Sequence, residues 1–359
     1  MIVTGIGVNG YRNLGNFNQS LSPGINVICG NNAQGKTNFI EAVYFLAFGR
    51  QFRHGSDIDV IKWKQKSAYI TSELEKNGIS YSLNIRLEAR GKNLAKEILF
   101  DRIPIRHMKE LFGKLLIVMF SPEDLKLIKS GPGERRRFID MEICQPSPVY
   151  YNDLKEYYKT LKQRNSLLKQ IQKDKSLKVS LDIWDEQLVK HGSRITNYRD
   201  SFIKKLSDIS GEIHSNLTGG AEKLSVKYKP SITSVSSLQA NQNKDILVGF
   251  TKEGVHHDDM DFYINGINVR QFGSQGQQRT VALSAKLAQI KIISETTGQN
   301  PVLLLDDVFS ELDKTRQEFL LGQIHDIQTI ITCTGIEDVL NNKSDYKLMK
   351  MEQGFLSEA

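Results

Sequence analysis

The segment Gly30–Thr37, Gly-Asn-Asn-Ala-Gln-Gly-Lys-Thr, constrains the fold more than any other part of the chain. It follows a β-branched run, Ile25–Cys29, and precedes a stretch in which apolar residues recur at three- and four-residue spacing. A glycine-rich turn between a strand and a helix directs backbone N–H groups and a lysine at a phosphate group. The sequence therefore predicts a phosphate cradle with these residues: Gly30, Asn31, Asn32, Ala33, Gln34, Gly35, Lys36 and Thr37.

An acidic pair supports this interpretation. The apolar run Val302–Leu305 is typical of a buried strand, and Asp306 and Asp307 follow it directly. A carboxylate at the end of a strand beside a phosphate cradle can hold Mg²⁺ through its water shell. We expect ATP and Mg²⁺ as cofactors. Lys36 would reach the β- and γ-phosphates, and Thr37 and Asp306 would hold the metal. Asp307 would orient or deprotonate the attacking water.

Composition limits the class of protein. The chain has 359 residues, a length that favours two structural units, and a formal charge of +7, which points weakly to nucleic acid. No apolar run is long enough to span a bilayer, and the N-terminus does not resemble a signal peptide. The three cysteines lie far apart in sequence, which favours neither a disulfide framework nor a zinc site. These features predict a cytoplasmic protein.

Periodicity divides the chain into three parts. Strand patterns dominate residues 1–130, two long helices joined by the short link Gln172–Lys178 dominate 131–220, and strand patterns return in 221–359. In the last part we expect strands at Lys223–Tyr228, Ile246–Thr251 and Asp261–Ile264, and a helix over Gly276–Thr297. The prediction is one α/β domain, with lobe I at 1–130 and lobe II at 221–359, interrupted by a helical arm.

Two further segments carry a family resemblance. Phe272–Arg279, Phe-Gly-Ser-Gln-Gly-Gln-Gln-Arg, resembles the signature motif of ABC-type ATPases, in which Ser274, Gly276 and Gln277 match the family pattern. Ser310–Asp313 is similar to the family's D-loop. In that family the signature faces the γ-phosphate bound by a second subunit, so the resemblance implies an ATP-dependent homodimer.

The whole chain resembles the RecF family, bacterial recombination mediators related to the SMC proteins. Gly10–Leu14 is similar to the family's entry motif, and Phe120–Leu125 followed by Gly133–Phe138 is similar to the segment before its arm. The implied fold is an α/β ABC/SMC-type P-loop ATPase head with a helical insertion. The resemblance also implies that Arg12 approaches the nucleotide phosphates and that Arg53 senses DNA.

Three departures from the ABC pattern predict slow turnover. Asp307 stands where Glu is usual, no histidine follows Ile327–Ile331, and no typical Gln-loop is evident near Ser121–Asp124. We therefore expect a weak DNA-stimulated ATPase, in which ATP acts mainly as a clamp.

The expected function is ATP-dependent DNA binding in recombinational repair and replication. ATP-induced dimerisation of the heads would clamp DNA at gaps, at junctions, or on single-stranded or duplex DNA, and slow hydrolysis would release it. The resemblance adds a RecR-type mediator as partner, with roles in recombinase loading and SOS induction. One alternative is the ATPase subunit of an ABC membrane transporter, which shares these motifs, although such a subunit usually carries the switch histidine. A small-molecule kinase would not explain the signature segment.

Overall fold

The computed structural model describes residues 1–53, 55–91, 93–335 and 346–359. The strands in these ranges are β1 (Ile2–Asn9), β2 (Phe17–Ser20), β3 (Ile25–Cys29), β4 (Ser67–Lys76), β5 (Ile79–Arg90), β6 (Asn93–Phe100), β7 (Ile103–Pro104), β8 (Ile117–Phe120), β9 (Leu224–Lys229), β10 (Asp259–Ile264), β11 (Ile267–Asn268), β12 (Val302–Asp306), β13 (Thr329–Cys333), β14 (Tyr346–Glu352) and β15 (Phe355–Glu358). The helices are α1 (Lys36–Phe48), α2 (Lys126–Lys129), α3 (Pro132–Cys144), α4 (Pro148–Ile171), α5 (Leu181–Leu217), α6 (Val235–Val248), α7 (Val269–Phe272), α8 (Gln275–Thr297) and α9 (Lys314–Gln323).

The chain divides into two compact units. Unit 1 comprises 1–124 and 289–359, and unit 2 comprises 125–288. The first boundary therefore precedes α2, and the second falls within α8. Unit 2 is thus longer than the arm expected at 131–220, because β9, β10, β11 and α6 belong with the long helices. None of the helices in the described ranges is both long and apolar enough to cross a membrane.

A mainly parallel sheet forms the centre of unit 1. Its order is β15-β14-β3-β13-β12-β8, and only β15 runs antiparallel to its neighbour. Every residue of β12 and β13 is buried, which explains the apolar run Val302–Leu305 of β12. Because parallel strands end at the same edge, β3, β12 and β13 bring their C-terminal residues together there.

A second sheet completes unit 1. It is antiparallel, with the order β2-β1-β4-β5-β6-β7. Helix α1 contacts strands of both sheets and is buried on almost all sides, so its start is held firmly at the end of β3. Gly49 ends α1 in the left-handed conformation with φ 60°, as the sequence predicts.

The two long helices of unit 2 pack as an antiparallel pair. Gly192 on α5 lies beside Tyr157 on α4, and Asp185 on α5 bonds Arg164 further along α4, so the partners run in opposite directions. The link contains a short 3₁₀ helix at Lys175–Ser180. The predicted helical pair is therefore confirmed.

The strand predicted at Ile246–Thr251 is wrong. Residues 246–248 form the last turn of α6, and Gly249 follows in the left-handed conformation with φ 74°. Ser234 begins this helix by accepting a hydrogen bond from the backbone N–H of Ser237. The apolar run resembles a strand, but Leu247 is 80% exposed, so only part of the run faces the interior.

Candidate functional site

The loop from Gly30 to Gly35 depends on glycine at both ends. A side chain at Gly30 would collide with the carbonyl oxygen of Met351, and Gly35 has a φ of 113°. Ala33 also has a positive φ, 65°, so the loop curls tightly between β3 and α1. This is the backbone shape that a phosphate cradle requires.

Lys36 extends along the inside of this loop. Its side chain is buried, and Nζ donates hydrogen bonds to the carbonyl oxygens of Gly30 at 2.6 Å and Asn31 at 3.0 Å. The ammonium is thus fixed at the loop by its own backbone. An anionic phosphate group fits this position, since it would offer a stronger acceptor than a neutral carbonyl.

Asp306 lies next to the first turn of α1. Its Oδ1 accepts hydrogen bonds from Thr37 Oγ1 at 3.0 Å and from Thr332 Oγ1 at 2.8 Å. Burial raises the pKa of Asp306, while the two hydroxyl hydrogen bonds act in the opposite direction. Thr332 is a site residue that the sequence analysis missed. The available signal was its position at the end of β13, which pairs with β12 and places Thr332 opposite Asp306.

The oxygens of Thr37 and Asp306 fit a magnesium site. Hydroxyl and carboxylate oxygens are ligands that Mg²⁺ accepts. Among the described residues, no group of three or more His, Cys, Asp or Glu side chains could hold a metal. An ion bound here would therefore need phosphate or water oxygens for its remaining ligands.

Asp307 differs from Asp306 in backbone conformation. It has a φ of 53°, and its N–H lies 3.1 Å from Thr332 Oγ1. This left-handed residue turns the chain directly after β12, so the two neighbouring carboxylates leave the strand differently. The water-activating role expected of Asp307 remains a prediction.

The entry motif contacts the loop through Asn13 instead of Arg12. The side-chain amide of Asn13 donates to the carbonyl oxygen of Ala33 at 3.3 Å. The guanidinium of Arg12 forms an ion pair with Glu41 at 2.9 Å and donates to Gln51 Oε1 at 2.8 Å. In this arrangement the guanidinium of Arg12 bonds side chains that do not belong to the loop.

Arg53 lies near the start of α1. Its guanidinium lies 3.4 Å from Asn38 Oδ1, and its backbone N–H lies 3.5 Å from Glu41 Oε1. Asn38 in turn donates to Asn13 Oδ1 at 2.7 Å. Arg53 therefore belongs to the polar network around the loop, and its expected contact with DNA remains a prediction.

The signature segment forms the exposed N-terminus of α8. Ser274 Oγ accepts from the N–H of Gln277 at 3.2 Å, and Gln277 Oε1 accepts from the N–H of Ser274 at 2.9 Å, which is a capping box. Ser274 and Gly276 are exposed, as is the adjacent Phe272, at 72%. The segment can thus present its N–H groups to an anion on another molecule.

Gln277 also connects the signature to helix α5. Its Nε2 donates to Glu222 Oε1 at 2.8 Å, and Glu222 Oε2 lies 2.9 Å from Nε2 of the buried His214. The other ring nitrogen of His214 lies 3.2 Å from Ser284 Oγ on α8. Sequence analysis did not identify this link, because His214 and Glu222 carry no recognisable motif.

Two of the cysteines are neighbours in the fold. Cys29 and Cys333 are paired residues of β3 and β13, with Sγ atoms 3.2 Å apart. Cys29 immediately precedes Gly30 and lines an open cavity of about 410 Å³. The separation of the cysteines in sequence therefore gave no indication of their distance in space.

Comparison with known proteins identifies the family. The model described as "RecF/RecN/SMC N terminal domain" matches residues 2–357. The DNA replication and repair protein RecF of Lachnoclostridium phytofermentans is 44% identical over 358 residues, covering 99% of each chain. RecF of Agathobacter rectalis is 43% identical, over 96% of this chain and 95% of that protein. These matches along the whole chain argue against the transporter subunit considered above.

Solved structures agree with this result. A recombination mediator protein RecF-ATPrS in the RecFOR pathway superposes with a TM-score of 0.92 at 33% identity, covering 99% of this chain and 98% of that chain. An Smc head domain from Pyrococcus furiosus gives 0.56 at 15% identity, over 99% of this chain and 95% of that chain, which shows a shared fold. The fold is therefore that of an ABC/SMC-type ATPase head, and the chain belongs to the RecF family of DNA replication and repair proteins.

Proposed function

We propose that this protein is an ATP-dependent DNA-binding protein of recombinational repair and replication, in which ATP joins two copies that together clamp DNA. The observation that carries the proposal is the hydrogen bond of 3.0 Å between Thr37 and Asp306 beside the lysine-lined loop. It unites the two motifs that phosphate and Mg²⁺ binding need. The RecF-ATPrS structure at 33% identity supports ATP as the nucleotide.

The charged and hydroxyl side chains at the site would then have separate tasks. Lys36 would exchange its carbonyl acceptors for the β- and γ-phosphates, and Thr37 and Asp306 would hold Mg²⁺. The metal would supply positive charge against the phosphate oxygens. Asp307 would orient or deprotonate the attacking water. For Arg12 to approach the phosphates, it would have to leave Glu41, so we assign it a lesser role.

The second half of the site would come from another copy of the chain. Ser274, Gly276 and Gln277 form an exposed helix N-terminus, which favours an anion. In the proposed dimer this terminus faces the γ-phosphate bound by the partner copy. Hydrolysis would be weak, stimulated by DNA, and would release the clamp.

Clamped DNA would be held mainly through its phosphates. The formal charge of +7 favours such contacts, which weaken as the salt concentration rises. Gaps and single-strand/duplex junctions are the proposed targets, with Arg53 as a candidate contact. A RecR-type mediator is the proposed protein partner, and the cytoplasm the proposed location. Recombinase loading and SOS induction would follow from binding at gaps.

The decisive experiment measures the mass of the protein in solution with ATP, with and without gapped DNA. We expect a monomer without ATP, a dimer with ATP, and tighter DNA binding by the dimer. If ATP changes neither the mass nor the affinity for DNA, the proposal fails.

Two substitutions separate nucleotide binding from dimerisation. Lys36→Ala should weaken ATP binding by about 10- to 150-fold, because phosphate charge loses its partner. Ser274→Arg should leave ATP binding intact but prevent dimerisation, since the longer side chain fills the position of the partner's phosphate. Matched controls are Lys190→Ala and Ser236→Arg, at exposed positions remote in sequence from both motifs. Dimerisation of the Ser274→Arg variant with ATP would refute the shared site.

A further inference from the structure

The turn Lys62–Lys66, Lys-Trp-Lys-Gln-Lys, carries the most exposed large apolar side chain among the described residues. Trp63 is 92% exposed, far above the usual exposure of a tryptophan. Lysines stand on both sides of it, and Lys64 and Lys66 are exposed as well. We call this segment the tryptophan turn. A single exposed apolar side chain is common on protein surfaces, but an indole flanked by lysines also combines a stacking face with positive charge.

The backbone of the tryptophan turn is strained and firmly held. The N–H of Gln65 donates to the carbonyl oxygen of Lys62 at 2.9 Å, which places Trp63 and Lys64 at the tip. Lys64 has a φ of 69°, a conformation that favours glycine or asparagine at this position of a turn. The fold thus holds a lysine where a smaller residue would be more stable, and such strain often marks functional positions.

The turn is anchored to the entry motif. Lys62 donates through its N–H to the carbonyl oxygen of Gly10 at 2.8 Å and through Nζ to that of Leu14 at 3.1 Å. The N–H of Arg12 donates to the carbonyl oxygen of Val60 at 2.7 Å. Asn13, between these residues, contacts the phosphate loop at Ala33. The tip is therefore exposed, while its base is continuous with the nucleotide site.

The charges around the turn favour an anionic partner. Glu88, which lies opposite Ser67, is paired with Arg90 at 3.0 Å, so this neighbouring carboxylate already has a cation. Beyond the turn, the half-exposed Tyr69 of β4 lies 5.7 Å from the guanidinium of Arg86. A large apolar patch, which a protein or membrane partner would favour, is absent from this turn. A single exposed ring with flanking lysines suits one nucleobase and its adjoining phosphates.

We propose that the tryptophan turn binds unpaired DNA, with Trp63 stacked on a base and Lys64 and Lys66 on the flanking phosphates. This inference rests on the proposed DNA binding and specifies its substrate as a strand with accessible bases. Paired bases in a duplex offer no free face to the indole, so the turn would distinguish a gap from continuous duplex.

Tryptophan fluorescence can test this directly, because the chain contains only two tryptophans. The variant Trp184→Phe leaves Trp63 as the sole reporter. With ATP present, oligo(dT) should quench its emission, and blunt duplex should quench it much less. The reciprocal variant Trp63→Phe, which reports on Trp184, should show little change with either DNA.

Affinity measurements complete the test. Trp63→Ala should weaken binding of oligo(dT) by about 5- to 150-fold, as loss of one stacked base predicts, with ATP binding unchanged. Trp63→Phe should restore part of the loss. The matched control is Ile103→Ala, which removes another exposed apolar side chain, 69% exposed, from the second sheet of unit 1.

Two outcomes would overturn the inference. Trp63 emission could stay constant at DNA concentrations where anisotropy of labelled oligo(dT) shows full binding. In that case the protein binds DNA elsewhere, and the proposed function survives without this contact. Alternatively, anionic lipid vesicles could quench Trp63 while oligo(dT) does not, which would identify the turn as a membrane contact.

Discussion

Asp306 combines a buried carboxylate with two hydroxyl donors, and burial of this carboxylate has a cost in stability. Its pKa is raised by burial, so the folded protein disfavours the charged form. For an acid whose pKa is raised on folding, the penalty is absent below the unfolded pKa. It grows as the pH rises towards the folded pKa and then stays constant.

We therefore predict that Asp306→Asn melts at a higher temperature than the parent protein at neutral pH. The amide keeps an oxygen for Thr37 and Thr332, while the charge is removed. The increase in melting temperature should become smaller as the pH is lowered, since the carboxyl group of the parent protein is then neutral too. ATP hydrolysis should fall to background. Thermal melting at several pH values checks this, with the exposed Asp200→Asn as control. A lower melting temperature at neutral pH would contradict the argument.

Cys29 and Cys333 support a second prediction at this scale. Their hydrogen bond lowers the pKa of Cys29, which favours the reactive thiolate. Hydrogen peroxide should convert the pair to a disulfide, with two thiols giving up two hydrogen atoms and peroxide leaving as two waters. Facing residues of adjacent strands lie within the Cα separation that a disulfide allows.

Mass spectrometry after alkylation should detect this oxidation, and ATP binding should weaken because the loop begins at the next residue. The variant Cys29→Ser should be insensitive to peroxide, and Cys144→Ser should behave like the parent protein. Recovery of both thiols in alkylated form after peroxide treatment would exclude the disulfide.

The helices of unit 2 are held by arginines with almost no exposed surface. Arg164 on α4 is fully buried and contacts Asp185 at 2.6 Å, Asp245 at 2.8 Å and Thr251 Oγ1 at 2.7 Å. This single side chain therefore connects α4, α5 and α6. Removing one member of a buried ionic network leaves the others charged and without compensation.

Arg164→Ala should destabilise unit 2 by about 3–5 kcal/mol. The matched control is Arg194→Ala, whose side chain is 56% exposed and lies 3.4 Å from Asp153, and which should cost about 0–1 kcal/mol. Hydrogen exchange of the amides in α4 and α5 measures the stability of unit 2 in each variant. Equal protection in the two variants would show that the buried network contributes little.

At the level of elements, sequence patterns correctly predicted those helices, strands and loops whose structure depends on residues close in sequence. The loop between β3 and α1, the strand before Asp306 and the long helices follow from local spacing. The prediction of a strand at Ile246–Thr251 was wrong because the cap at Ser234 and the burial of Asp245 stabilise a helix that extends into this segment. Thr332, His214 and the cysteine pair were missed because strand order and packing bring them to the site.

In the whole molecule, the strand before the phosphate loop lies between two strands from the far end of the sequence. β3 pairs with β13 on one side and with β14 on the other. Contacts of such large sequence separation form late in folding, because long loops must close first. The carbonyl of Met351 on β14 also limits the loop at Gly30.

A chain that ends at residue 335 should therefore fail to bind ATP and should aggregate, since one edge of β3 is left open. A chain that ends at residue 352 keeps β14 and should retain the central sheet. Calorimetry with ATP and size-exclusion chromatography measure these outcomes. Undiminished ATP affinity in the shorter chain would show that β14 is dispensable.

The same strand order determines when the nucleotide site can form during biosynthesis. Residues 25–37, which contain β3 and the complete phosphate loop, are synthesised long before the partners of β3 at 329–333 and 346–352. Until then the apolar strand before the loop has no neighbours, and a growing chain cannot form the nucleotide site. Competence to bind ATP would thus arise only after β14 has been synthesised, so that nascent chains that stop short of it could not enter a dimer.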